Sequence, residues 1–102
     1  MAEKAIWLSH EFSIHSYEEQ WNNASGIYIF AGVDSQGRWE PLYIGQADSF
    51  QDRIPSHEQW EPAVELGATH VHAMVVPLEY SRGLVERELI QAYQPPLNVQ
   101  LR

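Results

Sequence analysis

Glu86 lies in Leu84-Val85-Glu86-Arg87-Glu88-Leu89-Ile90, inside the clearest helical pattern of the chain. At about 100° per residue, Tyr93 and Leu89 fall within about 60° of it on one side, and Ile90 about 40° away on the other. Val85 and Ala92 widen this apolar stripe, whereas Arg87, Glu88 and Gln91 project away from it. A carboxylate on a buried face needs a partner. Two chemistries fit: an ion pair with Arg82, one turn earlier on the same face, or ligation of a hard divalent cation.

Two tyrosines form a second group. In Gly26–Val33 (GIYIFAGV), strand alternation puts Tyr28 and Phe30 on one face and Ile27, Ile29 and Ala31 on the other. In the following strand Tyr43 alternates against Leu42 and Ile44. The two phenols either pack across strands as aromatics do or face a cleft together. His70 and His72 also share a strand face, and zinc would require a third ligand that is not evident. His10 and His15 have no evident partner, and the four tryptophans read as core or rim aromatics.

The elements that position these residues follow from local patterns. Gly26–Val33 and Trp39–Gly45 are β-branched and aromatic, and the Asp34-Ser35-Gln36-Gly37 turn between them makes the pair antiparallel. Pro41 puts the start of the second strand at an edge or a bulge. Asp48, with Gln51 three residues on, reads as a helix N-cap, and Pro55 ends that helix after about one turn. Pro62 opens a further short helix and Gly67 closes it. Thr69–Leu78 is a third strand and Ser81–Tyr93 the main helix, followed by an extended Gln94-Pro95-Pro96-Leu97-Asn98. Residues 1–25 read as a lead-in, with Lys4–Leu8 and Phe12–His15 as short extended pieces. Ser16-x-x-Glu19 reads as the capping box of a short helix. The expected architecture is one α+β domain over residues 1–102, with a small three-stranded antiparallel or mixed sheet flanked by helices.

Composition bounds the function. The chain has 102 residues and 44% apolar content, which suffices for one core. It has no cysteine, which removes disulfides and thiolate metal sites and fits a reducing cytoplasm. The apolar run Ala5–Leu8 is too short for a signal peptide or a membrane span. The net charge of −8 opposes tight, unassisted binding to nucleic acid, whose phosphates attract basic surfaces.

Taken together, the motifs resemble the GIY-YIG nuclease family. Gly26-Ile27-Tyr28 matches its first tripeptide and Tyr43-Ile44-Gly45 its second. Arg53 follows Tyr43 by ten positions, His57 comes four later, Glu86 matches the metal-binding glutamate of the helix, and Asn98 closes a Pro-x-x-Asn. The resemblance implies a metal-dependent endonuclease, acting on DNA and leaving 5′-phosphate and 3′-hydroxyl ends. Its catalytic residues would be Tyr28, Tyr43, Arg53, His57, Glu86 and Asn98, with Mg²⁺ (or Mn²⁺ in its place) on Glu86. Gly45, Gln46 and Arg82 are expected beside the substrate. By this resemblance Tyr28 is the general base or the group that orients water, and His57 its assistant or a rival base. Arg53 would hold the non-bridging oxygens, Tyr43 would position water or phosphate, and Asn98 would orient the groups around the site. Gln46 stands where many members have lysine, which removes one positive contact to phosphate. A homodimer or a partner protein would then supply the missing DNA affinity. Two rival expectations are a catalytically weak nucleic-acid or protein interaction module, and a hydrolase of another phosphodiester.

Overall fold

A computed structural model describes residues 3–101, with side chains up to Asn98. The strands are β1 (Lys4–Trp7), β2 (His10–His15), β3 (Gly26–Val33), β4 (Trp39–Ala47) and β5 (Ala68–Val75). The helices are α1 (Phe50–Arg53), α2 (Trp60–Glu65) and α3 (Glu79–Tyr93), and a 3-10 turn spans Pro96–Leu101.

The sheet has five strands in the order β1-β2-β5-β3-β4, and every neighbouring pair is antiparallel. The expectation of three strands falls short because the lead-in joins the sheet. Its two extended pieces form a hairpin, and Ser13, Ile14 and His15 pair with Ala73, His72 and Val71. Without that hairpin β5 would expose an unpaired edge. The predicted helix after Ser16 does not form. Ser16 N–H does donate to Glu19 Oε1 at 3.2 Å, half of a capping box. The Tyr17 carbonyl, however, is taken by Trp21 Nε1–H, and the other Glu19 oxygen lies 2.6 Å from His15 Nδ1. His10 likewise has a partner, Glu88, at 3.2 Å.

β3 is the central strand, buried from Gly26 to Gly32. Its alternation divides the core. Tyr28 and Phe30 pack with Trp21, Leu42, Phe50, Ile54 and Ala63 beneath α1 and α2. Ile27, Ile29 and Ala31 pack with Trp7, Phe12, Ile44 and Leu89 beneath α3. Pro41 sits at both predicted features, since β4 is an edge strand and Leu42 is a bulge between the pairs Phe30↔Tyr43 and Ala31↔Pro41. The extra residue puts Leu42 and Tyr43 on the same side of the sheet, against the simple alternation expected.

Ser49, not Asp48, caps α1, its side chain accepting from Asp52 N–H. Asp48 is drawn off to pair with Arg82. Pro55 stops α1 after one turn, Pro62 lies in the first turn of α2, and Gly67 follows α2 at φ 110°. After α3, Gln94 adopts φ 49° and the chain turns into 3-10 geometry instead of extending. No described helix is long and apolar enough to cross a membrane.

Candidate active site at the β4 edge

The first half of the site faces α1 and α2. The Tyr28 ring is almost fully buried, and its Oη lies 2.7 Å from His57 Nε2. Gly45 is what makes room for it. A Cβ at position 45 would stand 2.5 Å from Tyr28 Oη, far inside contact distance. His57 reaches this position because Pro55 breaks the helix and Ser56, at φ 62°, turns the chain back toward the core. The imidazole is then fixed from both sides. Its Nδ1 accepts the Gln59 backbone N–H at 3.0 Å, and its own backbone N–H donates to Tyr17 Oη at 3.2 Å.

These contacts determine the tautomer. With Nδ1 accepting, a neutral ring carries its proton on Nε2 and donates it to Tyr28 Oη. Burial pushes His57 down to about 4, helped by the charge of Arg53 and opposed by Glu58, so the ring is neutral near pH 7. His57 is therefore a donor to the phenol. The rival-base role expected for it does not fit a ring whose two nitrogens are both engaged inside the core. Tyr28 itself is pushed well above the ordinary phenol range, first by burial, then by Tyr43, Glu58 and Glu86, with Arg53 opposing. Tyr43 is raised too, chiefly by burial, and Arg53 again opposes. The rings of Tyr28 and Tyr43 stand 6.3 Å apart, both against His57.

Arg53 ends α1 beside these rings. Its Nη1 and Nη2 donate to Glu58 Oε1 and Oε2 at 3.0 and 2.7 Å, a two-pronged ion pair. Glu58 is held down to about 2, mainly by this contact.

The second half of the site faces α3. Glu86 is half-buried at the predicted angle, with Leu89 fully buried and Val85, Ile90 and Tyr93 packed beside it. Gln46, the residue after Gly45, donates through Nε2 to Glu86 Oε1 at 2.7 Å. Burial raises the Glu86 carboxyl above its usual range, and Gln46 opposes the shift. Among the described residues, no cationic side chain lies within ion-pair distance of Glu86. A hollow of about 570 Å³ opens above it, lined by Gln46, Gly83, Arg87, Ile90, Gln91 and Gln94.

Arg82 does not join this group. Its side chain is only 5% exposed; Nη2 donates to Asp48 Oδ1, Nη1 donates to the carbonyls of Val76 and Pro77, and the buried Nε has no partner among the described residues. It ties the start of α3 to the end of β4, so neither the Glu86 ion pair nor a substrate contact is available to it. Asn98 is buried and spends its amide on one residue. Nδ2 donates to the Ile44 carbonyl at 3.0 Å and Oδ1 accepts the Ile44 N–H at 2.9 Å. It positions Tyr43 and Gly45 through their shared strand. His72 accepts the Trp7 indole N–H and packs on Trp39. Among the described residues no group of three or more His, Cys, Asp or Glu could hold a metal, so His70 and His72 lack further ligands.

Three participants were not visible in the sequence: Tyr17, Glu58 and the Asp48 partner of Arg82. Glu58, five residues beyond Arg53 across a proline, carried the only usable signal, an opposite charge at short spacing.

No protein-family model matches the chain. UvrABC system protein C of Methanothermobacter thermautotrophicus is 32% identical to it over 89 residues, which cover 82% of this chain and 15% of that protein. The same protein of Thermotoga maritima is 32% identical over 81 residues, 76% of this chain and 14% of the relative. The chain thus spans about 15% of the length of the curated relatives it matches. Among solved structures, the GIY-YIG N-terminal endonuclease domain of UvrC from Thermotoga maritima, bound to magnesium as its catalytic divalent cation, superposes with a TM-score of 0.59. It is 27% identical, covering 74% of this chain and 84% of that one. A point mutant of the same domain gives the same TM-score and identity. Fold, motif order and these likenesses agree: the chain belongs to the GIY-YIG family.

Proposed function

We propose that this chain is a metal-dependent endonuclease that hydrolyses DNA phosphodiester bonds and leaves 5′-phosphate and 3′-hydroxyl ends. The observation that carries this reading is Glu86: a half-buried carboxylate with a neutral amide on one oxygen, no ion-pair partner among the described residues, and an open hollow above it. Such a group fits a hard cation, which would replace the solvation lost on burial. One protein carboxylate suits Mg²⁺, which keeps most of its waters, and Mn²⁺ can stand in. When bound there, the ion supplies Lewis-acid stabilisation of the leaving oxygen.

The remaining work falls to the chain itself. Gln46 fixes the direction of the Glu86 carboxylate. Arg53 presents two parallel N–H groups to the non-bridging oxygens, where its fork geometry is selective. Tyr28 orients the attacking water or takes its proton. The His57 Nε2–H that points at the phenol oxygen stabilises negative charge as it develops there. Neutralising Glu86 also removes one of the charges that hold Tyr28 protonated. Tyr43 positions water or phosphate beside it. Asn98 keeps both tyrosines in register from behind.

The test is a cleavage panel of duplex, branched and single-stranded DNA with Mg²⁺ or Mn²⁺, with and without EDTA. Wild type should cut in a metal-dependent way, and Glu86→Gln should lose at least about 100-fold with the fold retained. Binding without cleavage, unaffected by that substitution, would favour an interaction module instead. The net charge of −8 makes this second reading worth including in the panel.

A further inference from the structure

The proposed phosphate clamp is occupied by the chain's own carboxylate. We propose that Glu58 is a built-in competitor for the substrate phosphate, which must displace it from Arg53 and whose affinity it thereby sets. The inference deepens the proposed function and rests on its assignment of Arg53.

The geometry is that of a phosphate mimic. Two oxygens of one anion meet two terminal guanidinium nitrogens, at 3.0 and 2.7 Å. Two non-bridging phosphate oxygens would use the same prongs. Both ligands cannot hold them at once.

Glu58 is also the partner that can leave. Its side chain is 64% exposed against 39% for Arg53. Arg53 belongs to a capped helical turn, whereas Glu58 lies in the non-helical turn between Pro55 and α2. The neighbouring His57 is anchored by Tyr28, Gln59 and Tyr17, so a rotation of the Glu58 side chain need not disturb it. An exposed pair of this kind is weak enough to be displaced. The contrast with Arg82 is informative. That side chain is only 5% exposed, with Nη1 on two carbonyls and Nη2 on Asp48, so its two terminal nitrogens are not open together to one ligand.

The local charge makes the competition consequential. Among the described residues, Arg53 is the one cationic group acting on Tyr28 and Tyr43, against the negative charges of Glu58 and Glu86. With Glu58 in place, the approaching phosphodiester meets a cleft whose acidic groups outnumber its basic ones. Removing that charge leaves Arg53 balanced against Glu86 alone.

The experiment compares wild type, Glu58→Gln, Arg53→Gln, the double variant of these two and Glu86→Gln, each checked for an unchanged thermal midpoint. Binding of a fluorescein-labelled 20-base-pair duplex is read by anisotropy in EDTA, and cleavage of the same duplex is read with Mg²⁺. Glu58→Gln should bind on the order of three- to tenfold tighter and lower KM with little change in kcat. The gain should vanish in the Arg53→Gln background. Equal or weaker binding by Glu58→Gln would overturn the proposal and make Glu58 a support that aligns Arg53. A gain that survives in the double variant would also overturn it, as a general effect of charge. If wild type cuts in a Glu86-dependent way but Glu58→Gln gains nothing, only the competitor falls. If the Arg53-dependent gain appears without any Glu86-dependent cleavage, the competitor stands and the nuclease reading falls. If no variant binds and none cuts, both fall.

Discussion

The two faces of β4 carry the two halves of the site, and they are built on opposite principles. On the α1–α2 face three of the polar side chains are already partnered by the chain: Tyr28 by His57, His57 by Gln59, and Arg53 by Glu58. On the α3 face Glu86 has, among the described residues, only the Gln46 amide, and its carboxyl is raised by burial. The first face is therefore preorganised, and a metal would reach it only through the charge of Glu86, which helps to hold Tyr28 and Tyr43 protonated. The second is left with a desolvated charge that a cation would relieve. Gly45 and Gln46, adjacent in one strand, join them. The peptide between them separates a packing constraint from a metal-binding constraint.

This contrast predicts that damage to each half will look different. The largest effect should come from Gly45→Ala. A methyl there collides with the Tyr28 phenol, so the substitution should destabilise the fold by about 1–3 kcal/mol and lower cleavage by roughly 100-fold through misplacement of that ring. A chemical denaturation curve and a single-turnover assay would read the two losses together. An active, stable Gly45→Ala protein would break the comparison, because the phenol would then have freedom the geometry denies it.

Gln46→Ala should act on the other half alone. The fold should melt at the wild-type temperature, while half-maximal cleavage should need about tenfold more Mg²⁺, as expected when an orienting group behind a metal ligand is lost. A Mg²⁺ titration of activity, or a Mn²⁺ binding measurement, decides it. Loss of stability without a metal effect would place Gln46 with the packing half.

The smallest effect is on stability against pH. His57 and His72 are both pushed down to about 4 by burial. Between about 4 and 6.5 the unfolded chain binds protons that the folded chain refuses. Stability should hold above about pH 6.5 and decline as pH falls toward 4. Thermal midpoints at pH 7.5, 6 and 5 should show the decline, and His57→Gln should reduce its slope. A flat profile would mean that the two histidines take up protons as readily in the folded chain as in the unfolded one, and the neutral His57 ring would have to be abandoned.

What the sequence made legible was local. The β-branched runs around Tyr28 and Tyr43, the helix around Glu86 and the proline break before His57 all follow from neighbouring residues. The inward turn of Glu86 could be computed from helical periodicity alone. What it hid was decided by partners far along the chain. β1 and β2 are too short to predict a pairing, and β2 joins the sheet because β5, some 60 residues later, has an open edge. Ser16 and Glu19 carry a helix signal that loses to His15 and Trp21. Arg82 was assigned by its place on the helix, yet its partner Asp48 comes from the end of β4. The residue types of the candidate site were readable, but the tautomer of His57 depends on a backbone N–H at Gln59 that no residue type announces.

Asn98 has a consequence beyond catalysis. β4 is the outer strand, and an outer strand offers free N–H and C=O groups to any neighbouring molecule. The Asn98 amide imitates one residue of a sixth strand, capping both groups of Ile44 between the two motif residues Tyr43 and Gly45. It closes the rim of the sheet at that one residue. A residue read as an active-site accessory thereby also fills one rung of an otherwise open strand edge.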